Sequence, residues 1–221
     1  IYQFNRDGAG WAYPSIVGGG ANSCILHYTE NDQALNDGEM VLIDAGAEYQ
    51  GYAADITRTF PVNGRFNAAQ REIYELVLEA QDAAIKKVQP GNHWNDPHEA
   101  AVRVLTRGMV ELGLLKGNVK SLIKEGGYSK FYMHRTGHWL GMDVHDVGDY
   151  KVDDAWRLLE KGMVLTVEPG LYIPAGTRGV KRWWNIGVRI EDDVAVTKDG
   201  NEVLSAGLPR SCDEIETVMA G

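Results

Sequence analysis

The 221-residue chain has little cysteine, no long apolar run and no cluster of basic residues. Cys24 and Cys212 are too few for a disulfide scaffold or a thiolate metal site, so we expect a reducing, cytoplasmic environment. Apolar runs such as 40–43 are far shorter than the ~18 residues that a membrane-spanning helix needs. There are 22 Lys and Arg against 31 Asp and Glu, a formal charge of −9 that argues against nucleic-acid and membrane partners.

Several catalytic signatures are also missing from the sequence. There is no Gly-x-Ser-x-Gly string of the kind that carries the nucleophile of α/β-hydrolases. Gly18-Gly19-Gly20 lacks the spacing of a dinucleotide or phosphate loop. His134 and His138 are four residues apart, but Arg135 stands where a His-Glu-x-x-His zinc helix needs glutamate, and Gly137 favours a loop.

The composition is that of an ordinary globular protein, with 44% hydrophobic and 24% charged residues. No repeat, low-complexity tract or linker divides the chain, so residues 1–221 are expected to form a single domain. The chain begins at Ile1 rather than methionine, in a polar stretch without the apolar core of a signal peptide. We therefore expect it to be a fragment of a longer protein.

Helical periodicity is confined to the middle of the chain. Asn67 is expected to cap a helix that Pro90-Gly91 ends. A capping box of Asp96 and Glu99 predicts a second helix, and a short third helix is predicted over 119–124. Strands are predicted at 40–43, 49–60, 163–167, 171–173 and 188–196. Strands on both sides of a helical centre favour an α+β fold with a mostly antiparallel sheet and helices packed on one face.

Acidic residues occupy positions that their apolar neighbours predict to be buried. Four of them end or interrupt apolar runs: Asp44, Asp55, Glu168 and Glu191. A buried carboxylate is destabilising unless it is paired or binds a metal. Three of the six histidines lie within twelve residues: His134, His138 and His145. Four carboxylates and one imidazole suit hard or borderline divalent ions, and two such ions would balance the charge and leave room for a bridging hydroxide.

Each of these residues also has an ordinary structural explanation. An aspartate that ends a strand is often a turn former or a helix cap, and a buried glutamate often pairs with an arginine such as Arg189. Strand alternation places Arg189 and Glu191 on the same, polar face. Spacing alone therefore leaves a metal site and a set of buried ion pairs as open alternatives.

Seven separated strings together resemble the catalytic domain of the Xaa-Pro aminopeptidases (aminopeptidase P). They are CILHY at 24–28, LIDAG at 42–46, ADITRTFP at 54–61, GHWLG at 137–141, DVHDVG at 143–148, VEPG at 167–170 and VRIED at 188–192. The resemblance runs in order along nearly the whole chain. It implies the pita-bread fold, an α+β fold in which helices pack on the outer face of a curved, mostly antiparallel sheet.

The resemblance also implies a site with two divalent metal ions, usually Mn²⁺, with Co²⁺ or Zn²⁺ as alternatives. Its five ligands correspond to Asp44, Asp55, His138, Glu168 and Glu191. Glu168 is further expected to move protons during the reaction. The residues expected to contact substrate or assist the reaction are His27, His134, His145, Tyr172 and Arg189. For Arg189, a purely structural role as the partner of Asp55 or another carboxylate is the alternative.

The activity implied by the resemblance is removal of an N-terminal residue that precedes proline in a peptide substrate. Prolidase, which cleaves Xaa-Pro dipeptides, is the nearest alternative within the fold. Methionine aminopeptidase and metal-free creatine hydrolysis are less favoured, and a non-catalytic pita-bread module that binds peptides or proteins is the alternative from another class. Family members carry a creatinase-like N-terminal domain and a further helix ahead of Ile1, so we expect the full-length protein to be a homo-oligomer.

Overall fold

The computed structural model describes residues 2–221, which contain five α-helices and thirteen short strands. The helices are α1 (Tyr2–Arg6), α2 (Ala68–Ile85), α3 (Asp96–Glu111), α4 (Val119–Lys124) and α5 (Cys212–Ala220). The strands are β1 (Gly10–Trp11), β2 (Ile16–Gly19), β3 (Met40–Ala45), β4 (Ala47–Tyr49), β5 (Tyr52–Ala53), β6 (Ile56–Pro61), β7 (Lys151–Val152), β8 (Ala155–Trp156), β9 (Val164–Val167), β10 (Gly170–Ile173), β11 (Ile186–Arg189), β12 (Asp192–Val196) and β13 (Asn201–Val203). Within this part of the chain, no helix has both the length and the apolar character needed to cross a membrane.

The strands of the described residues pair in antiparallel fashion and form several small sheets. β3 lies between β2 and β6, and β12 lies between β9 and β13. β4 joins β1 to β5, β10 pairs with β11, and β7 with β8 forms a separate hairpin. The predicted α+β architecture with antiparallel pairing is confirmed, although the pairing is divided among short sheets.

One large hydrophobic cluster joins the helices to the strands. It includes Ile73 and Val77 from α2, Leu105 from α3, Val167 from β9 and Val188 from β11, all of them buried. Helix α2 packs against α3 on one side and against strands β9, β10 and β11 on the other. The long helices thus cover one face of the strands, and this packing of apolar surface is the main source of the fold's stability.

Helix α2 begins where its cap predicted. The Asn67 side chain accepts from the Gln70 backbone N–H, and the Gln70 side chain accepts from the Asn67 N–H, which completes a capping box. The predicted third helix is α4, with the same bounds. Helix α5 was not predicted, although Ser211 and Glu214 form a capping box that marks its start.

The start of α3 was predicted correctly, but the predicted capping box of Asp96 and Glu99 was wrong. The N-cap residue is Asn95, and its side chain makes no capping hydrogen bond. The Asp96 carboxylate instead accepts from the His93 backbone N–H at 2.8 Å, and the Asn95 amide donates to Glu99 at 2.7 Å. Asp96 therefore closes the turn that precedes the helix.

Two of the predicted strands are interrupted, each at an acidic residue. The run 49–60 divides into the end of β4, β5 and β6, with Asp55 in the break before β6. The run 188–196 divides into β11 and β12, with Glu191 in the break. At each break the chain passes from one sheet to another, so both carboxylates lie at junctions between sheets.

Candidate active site

One open cleft of about 640 Å³ is lined by all five of the predicted metal ligands. Each ligand comes from the end of a strand or from a connection between elements. Asp44 lies in β3, where it pairs with Thr57 of β6, and Asp55 lies two residues before Thr57. This register brings Asp44 and Asp55 to the same edge of the sheet, although eleven positions separate them in sequence. Glu168 directly follows β9, and His138 is in the loop beside it.

Three of the five ligands approach one another closely. One ligand atom from each of Asp55, His138 and Glu191 lies within 4.8 Å of the others. His138 Nε2 is 3.3 Å from Asp55 Oδ2 and 3.6 Å from Glu168 Oε1. A single cation placed among these atoms could therefore contact side chains from three separate parts of the chain.

The hydrogen bonds of His138 set the orientation and the tautomer of its ring. Its Nδ1 is 2.9 Å from the Trp139 carbonyl oxygen. Because a carbonyl can only accept, Nδ1 carries a proton, and Nε2 is the ring nitrogen that faces Asp55 and Glu168. The His138 backbone N–H also donates to the Thr166 hydroxyl at 3.1 Å. This is the arrangement that holds a histidine ready for a metal.

The carboxylates of the cleft repel one another in a buried setting. Burial raises the pKa of Asp44, Glu168 and Glu191, and for Glu168 the pKa rises to about 7. Neighbouring carboxylates add to the rise at each residue, whereas the Arg189 guanidinium lowers the pKa of all three. With Asp55, four acidic side chains surround the single guanidinium of Arg189. The donor set therefore fits divalent cations, which would supply the missing positive charge.

Arg189 is 4% exposed and pairs with Asp44 rather than with Asp55. Its Nη2 lies 2.5 Å from Asp44 Oδ2, and its Nε donates to the Thr57 hydroxyl at 3.1 Å. That hydroxyl in turn donates to Glu191 Oε2 at 2.6 Å. Arg189 and Glu191 thus share one face of the chain, as strand alternation predicted, and Thr57 connects them. Thr57 was missed in the sequence, although it alternates with Asp55.

Tyr13 is a second residue of the site that the sequence did not indicate. Its hydroxyl is 2.6 Å from Asp44 Oδ1 and 2.6 Å from Asp55 Oδ1. Burial and the two carboxylates raise its pKa above the ordinary tyrosine value, so the phenol remains protonated. Tyr13 lies between β1 and β2, 31 and 42 residues before its two partners, and only the tertiary fold brings them together.

The three predicted substrate histidines differ in their surroundings. His27 and His145 are exposed and line the cleft, and the His145 ring lies edge-on to that of His138 with centroids 4.3 Å apart. His134 also lines the cleft but is less accessible. Its Nδ1 is 2.7 Å from the Arg135 carbonyl oxygen, and burial lowers the pKa of His134 to about 4. His134 is therefore neutral at pH 7, with the proton on Nδ1.

Tyr172 lies behind the cleft and has no exposed surface. Its hydroxyl donates to His134 Nε2 at 2.9 Å and accepts from Arg189 Nη1 at 3.3 Å. The structure thus places Tyr172 as a link between His134 and Arg189, whereas the resemblance led us to expect it to contact substrate.

Another part of the cleft wall is aromatic and was not predicted as such. Trp94, Tyr150 and Trp156 all line the cleft, and the Trp94 and Tyr150 rings have centroids 4.7 Å apart. Arg135 lines the cleft beside them. The cleft therefore combines a carboxylate-rich region with a region of aromatic and cationic side chains.

Comparison with known proteins places this geometry in a family. Residues 2–198 match the model of metallopeptidase family M24. The Xaa-Pro aminopeptidase of Haemophilus influenzae is 54% identical over 220 residues, which cover 99% of this chain and 51% of that protein. The structure of aminopeptidase PepP of Pseudomonas aeruginosa superimposes with a TM-score of 0.98 at 60% identity, covering 99% of this chain and 50% of that one.

A further solved structure, Escherichia coli aminopeptidase P with the inhibitor Pro-Leu, gives a TM-score of 0.96 at 51% identity, with 99% of this chain and 50% of that chain covered. The chain spans about half the length of the curated relatives it matches. The predicted pita-bread fold is confirmed by these structural neighbours. On this basis, the chain belongs to metallopeptidase family M24.

Proposed function

We propose that this chain is the catalytic domain of a metal-dependent Xaa-Pro aminopeptidase, which hydrolyses the bond between an N-terminal residue and a following proline. The observation that carries this proposal is the close approach of Asp55, His138 and Glu191, whose ligand atoms lie within 4.8 Å, in a cleft that also holds Asp44 and Glu168. The relatives named as Xaa-Pro aminopeptidases and the Pro-Leu complex of the Escherichia coli enzyme support it.

The proposal assigns two divalent ions to these five residues, with Mn²⁺ as the preferred metal and Co²⁺ or Zn²⁺ as alternatives. Carboxylate oxygens with one imidazole suit hard to borderline ions such as Mn²⁺. When bound, such ions activate a water at neutral pH and polarise the carbonyl of the bond to be cleaved. We further assign residues 1–221 to one domain, because helices and strands share one hydrophobic cluster.

Glu168 is the residue to which we assign proton transfer. Its side chain is 17% exposed, against 13% for His138 and 8% for Asp55, so it is the more accessible to substrate. The nitrogen released from an Xaa-Pro bond is part of a tertiary amide and has no proton of its own. A carboxyl group that takes a proton from the attacking water can return it to that nitrogen.

The remaining polar residues divide into two groups. His27 and His145 are exposed in the cleft, where they can donate hydrogen bonds to peptide carbonyl groups. His134, Tyr172 and Arg189 form a continuous hydrogen-bonded chain that ends on Asp44. We assign the first group to substrate binding. The second group presents the His134 ring to the cleft while it holds Asp44 in position.

The proposal extends to the location and the assembly of the protein. Both cysteines are free thiols in the described chain, which supports a reducing compartment such as the cytoplasm. The assignment of the full-length protein as a homo-oligomer rests on the resemblance to aminopeptidase P.

The direct test is hydrolysis of an Xaa-Pro-Yaa tripeptide and an Xaa-Pro dipeptide by chelator-treated protein, with and without added Mn²⁺. We expect cleavage of the tripeptide that depends on the metal. Cleavage of the dipeptide alone would reassign the chain as a prolidase. If neither peptide is cleaved while metal is shown to be bound, the chain acts as a binding module.

The ligand assignment is tested with Glu191→Gln, which removes a buried charge with little change in shape. We expect this variant to lose bound metal and metal-dependent activity while its circular dichroism spectrum is unchanged. Glu202→Gln, at an exposed position of β13, is the matched control and should keep both. A fully active Glu191→Gln protein without metal would contradict the assignment.

A further inference from the structure

A cluster of two cations and one indole ring lies at the cleft and has no part in the hydrolysis described above. The guanidinium carbon of Arg135 is 5.2 Å from the centroid of the Trp156 ring, and Lys151 Nζ is 4.6 Å from the same ring. Arg135 and Trp156 both line the cleft that contains the metal ligands. These distances are within the range of cation–π contacts.

The backbone holds this cluster in place. Trp156 ends the β7–β8 hairpin, in which Lys151 pairs with Trp156 across the strands. The turn residues Asp153 and Asp154 have φ values of 50° and 63°, as a tight hairpin turn requires. The Trp156 carbonyl oxygen is 2.9 Å from His93 Nδ1, which ties the hairpin to the segment before α3. The indole is therefore a supported platform for the two cations.

The positive charges of the cluster have no anionic partner in the described chain. None of the ion pairs formed within residues 2–221 includes Arg135 or Lys151. The Arg135 side chain donates to the Asn95 side-chain oxygen, which holds the guanidinium at one corner. A guanidinium has five N–H donors, so several remain available to a ligand. Such a fork matches the two oxygens of a carboxylate.

The cleft thus has opposite charge in two regions. A short peptide has a complementary pair of charges, an amino group at one end and a carboxylate at the other. Cleavage of the first peptide bond requires the N-terminal end to lie at the metal ligands, and the rest of the peptide then extends along the cleft. We propose that Arg135, supported by Trp156, binds the terminal carboxylate of a tripeptide or tetrapeptide substrate and gives the enzyme a preference for short peptides. This inference rests on the proposed aminopeptidase function.

Lys151 does not itself line the cleft, so its charge acts on this subsite from over the indole ring rather than by direct contact with substrate. Its ammonium group lies over the ring that supports Arg135, so it adds attraction for an anion without fixing the direction of approach. Arg135 supplies the directional hydrogen bonds and is the residue to substitute.

The test compares three peptides that share the same first bond: Ala-Pro-Ala, Ala-Pro-Ala-amide and Ala-Pro-Glu-amide. We expect Arg135→Gln to lower kcat/KM for Ala-Pro-Ala about tenfold, mainly through KM, because a hydrogen-bonded charge pair is lost. Both amides should change less than about twofold, since a solvated charge alone contributes little. Arg178→Gln removes the same charge from an exposed residue outside the cleft and should leave all three values unchanged.

Two outcomes would overturn the proposal. One is a loss of equal size for Ala-Pro-Ala and its amide, or no loss for either, because Arg135 would then not recognise the terminal carboxylate. The other is a loss confined to Ala-Pro-Glu-amide, which would assign the subsite to an acidic side chain.

Binding of the product dipeptides separates this proposal from the proposed function. Calorimetry with Pro-Ala should show about tenfold weaker binding to Arg135→Gln than to wild type, which corresponds to about 1.4 kcal/mol, whereas binding of Pro-Ala-amide should not change. If wild-type protein cleaves none of the three peptides, the aminopeptidase assignment fails, and this binding comparison still decides the subsite. If it cleaves all three without dependence on Arg135, only the subsite is wrong.

Discussion

The Tyr13 hydroxyl touches two of the proposed metal ligands at once, since it is 2.6 Å from an oxygen of Asp44 and from an oxygen of Asp55. A phenol has one proton and can donate it to only one of these oxygens at a time. Arg189 holds the other oxygen of Asp44, so that carboxylate is fixed from two sides. Tyr13 therefore sets the separation of the two ligands without itself offering a charge to the metal.

Replacing Tyr13 with phenylalanine should lower metal affinity and activity by about 10- to 100-fold, the usual effect of losing a partner that orients a ligand. Affinity is measured by competition with a chelator of known strength. Tyr74→Phe is the control, because Tyr74 is a buried tyrosine whose hydroxyl donates to the Arg210 carbonyl oxygen at 2.7 Å, away from the cleft. Wild-type metal affinity in Tyr13→Phe would show that the hydroxyl does not position the ligands.

His98 gives the protein a specific sensitivity to acid. It is 8% exposed, its Nδ1 is 2.8 Å from the Thr136 hydroxyl, and burial lowers its pKa to about 3. The charges of Arg135 and His134 lower it further. In the unfolded chain the pKa is about 6.5. The unfolded state thus binds one more proton between about pH 3 and pH 6.5, so stability falls as the pH falls through this interval.

We expect His98→Gln to remove this part of the acid sensitivity. Between pH 8 and pH 5, the free energy of unfolding of wild type should fall by about 2 kcal/mol more than that of the variant. The slope is about 1.4 kcal/mol per pH unit, and it applies below pH 6.5. Urea unfolding with chelator present measures the difference without a contribution from metal release. His93→Gln, at an exposed histidine, should follow the wild-type profile. Parallel curves for wild type and His98→Gln would contradict the prediction.

At the residue scale, the sequence located the acidic residues and Arg189, but not Tyr13 or Thr57, which also contact these acids. Asp44 and Glu168 were found because each ends an apolar run, a local signal that any buried strand displays. Tyr13 and Trp156 gave no such signal, since an aromatic residue outside a periodic apolar pattern is compatible with many environments. Their roles depend on contacts between distant parts of the chain, which no local pattern contains.

At the scale of elements, the connection between β3 and β4 requires glycine. A Cβ placed on Gly46 would lie 1.6 Å from the Ala54 carbonyl oxygen and 2.9 Å from Tyr13 Cε1. The first distance is to backbone, which cannot move without displacing the neighbouring Asp55. Gly46 thus lets two chain segments approach closely beside the proposed metal ligands Asp44 and Asp55.

Gly46→Ala should therefore destabilise the protein by about 1–3 kcal/mol and weaken metal binding together. Thermal unfolding and metal content after dialysis measure the two effects. Gly207→Ala is the control, because a Cβ there meets no atom within 4 Å. A stable Gly46→Ala protein with full metal content would mean that the Ala54 backbone has room to shift.

The elements also show where sequence patterns are sufficient. Helix α2 was predicted from its Asn67 cap and its apolar periodicity, both of which are local. The strand breaks at Asp55 and Glu191 were not predicted, because the flanking β-branched residues favour continuous strands. The chain leaves the strand at these points since it must pass between sheets, and that requirement comes from the topology.

At the scale of the whole molecule, resemblance to a family identified the fold that pattern analysis alone described only as α+β. Strands flanking helices indicate a class, whereas the order and pairing of strands follow from contacts between distant residues. The division of the strands into small sheets illustrates this, because β9 pairs with β12 across an intervening hairpin of β10 and β11.

Metal binding should contribute directly to global stability, because it balances the charge of the buried carboxylates. A ligand that binds only the folded state stabilises it by RT ln(1 + [L]/Kd), about 2.7 kcal/mol when Mn²⁺ is at 100 times its Kd. We expect the melting temperature of chelator-treated protein to rise with Mn²⁺ concentration according to this relation. Scanning calorimetry over a Mn²⁺ series measures it.

The same Mn²⁺ series on Glu191→Gln separates the effect of the buried charge on stability from the effect of metal binding. Glu191 is 1% exposed, and burial together with Asp55, Glu168 and Asp44 raises its pKa, so without metal its charge opposes folding. The metal-free variant should therefore be at least as stable as metal-free wild type, while its melting temperature should no longer respond to Mn²⁺. An equal rise in both proteins would place the stabilising ions outside the cleft, and the five residues would then be a set of buried ion pairs.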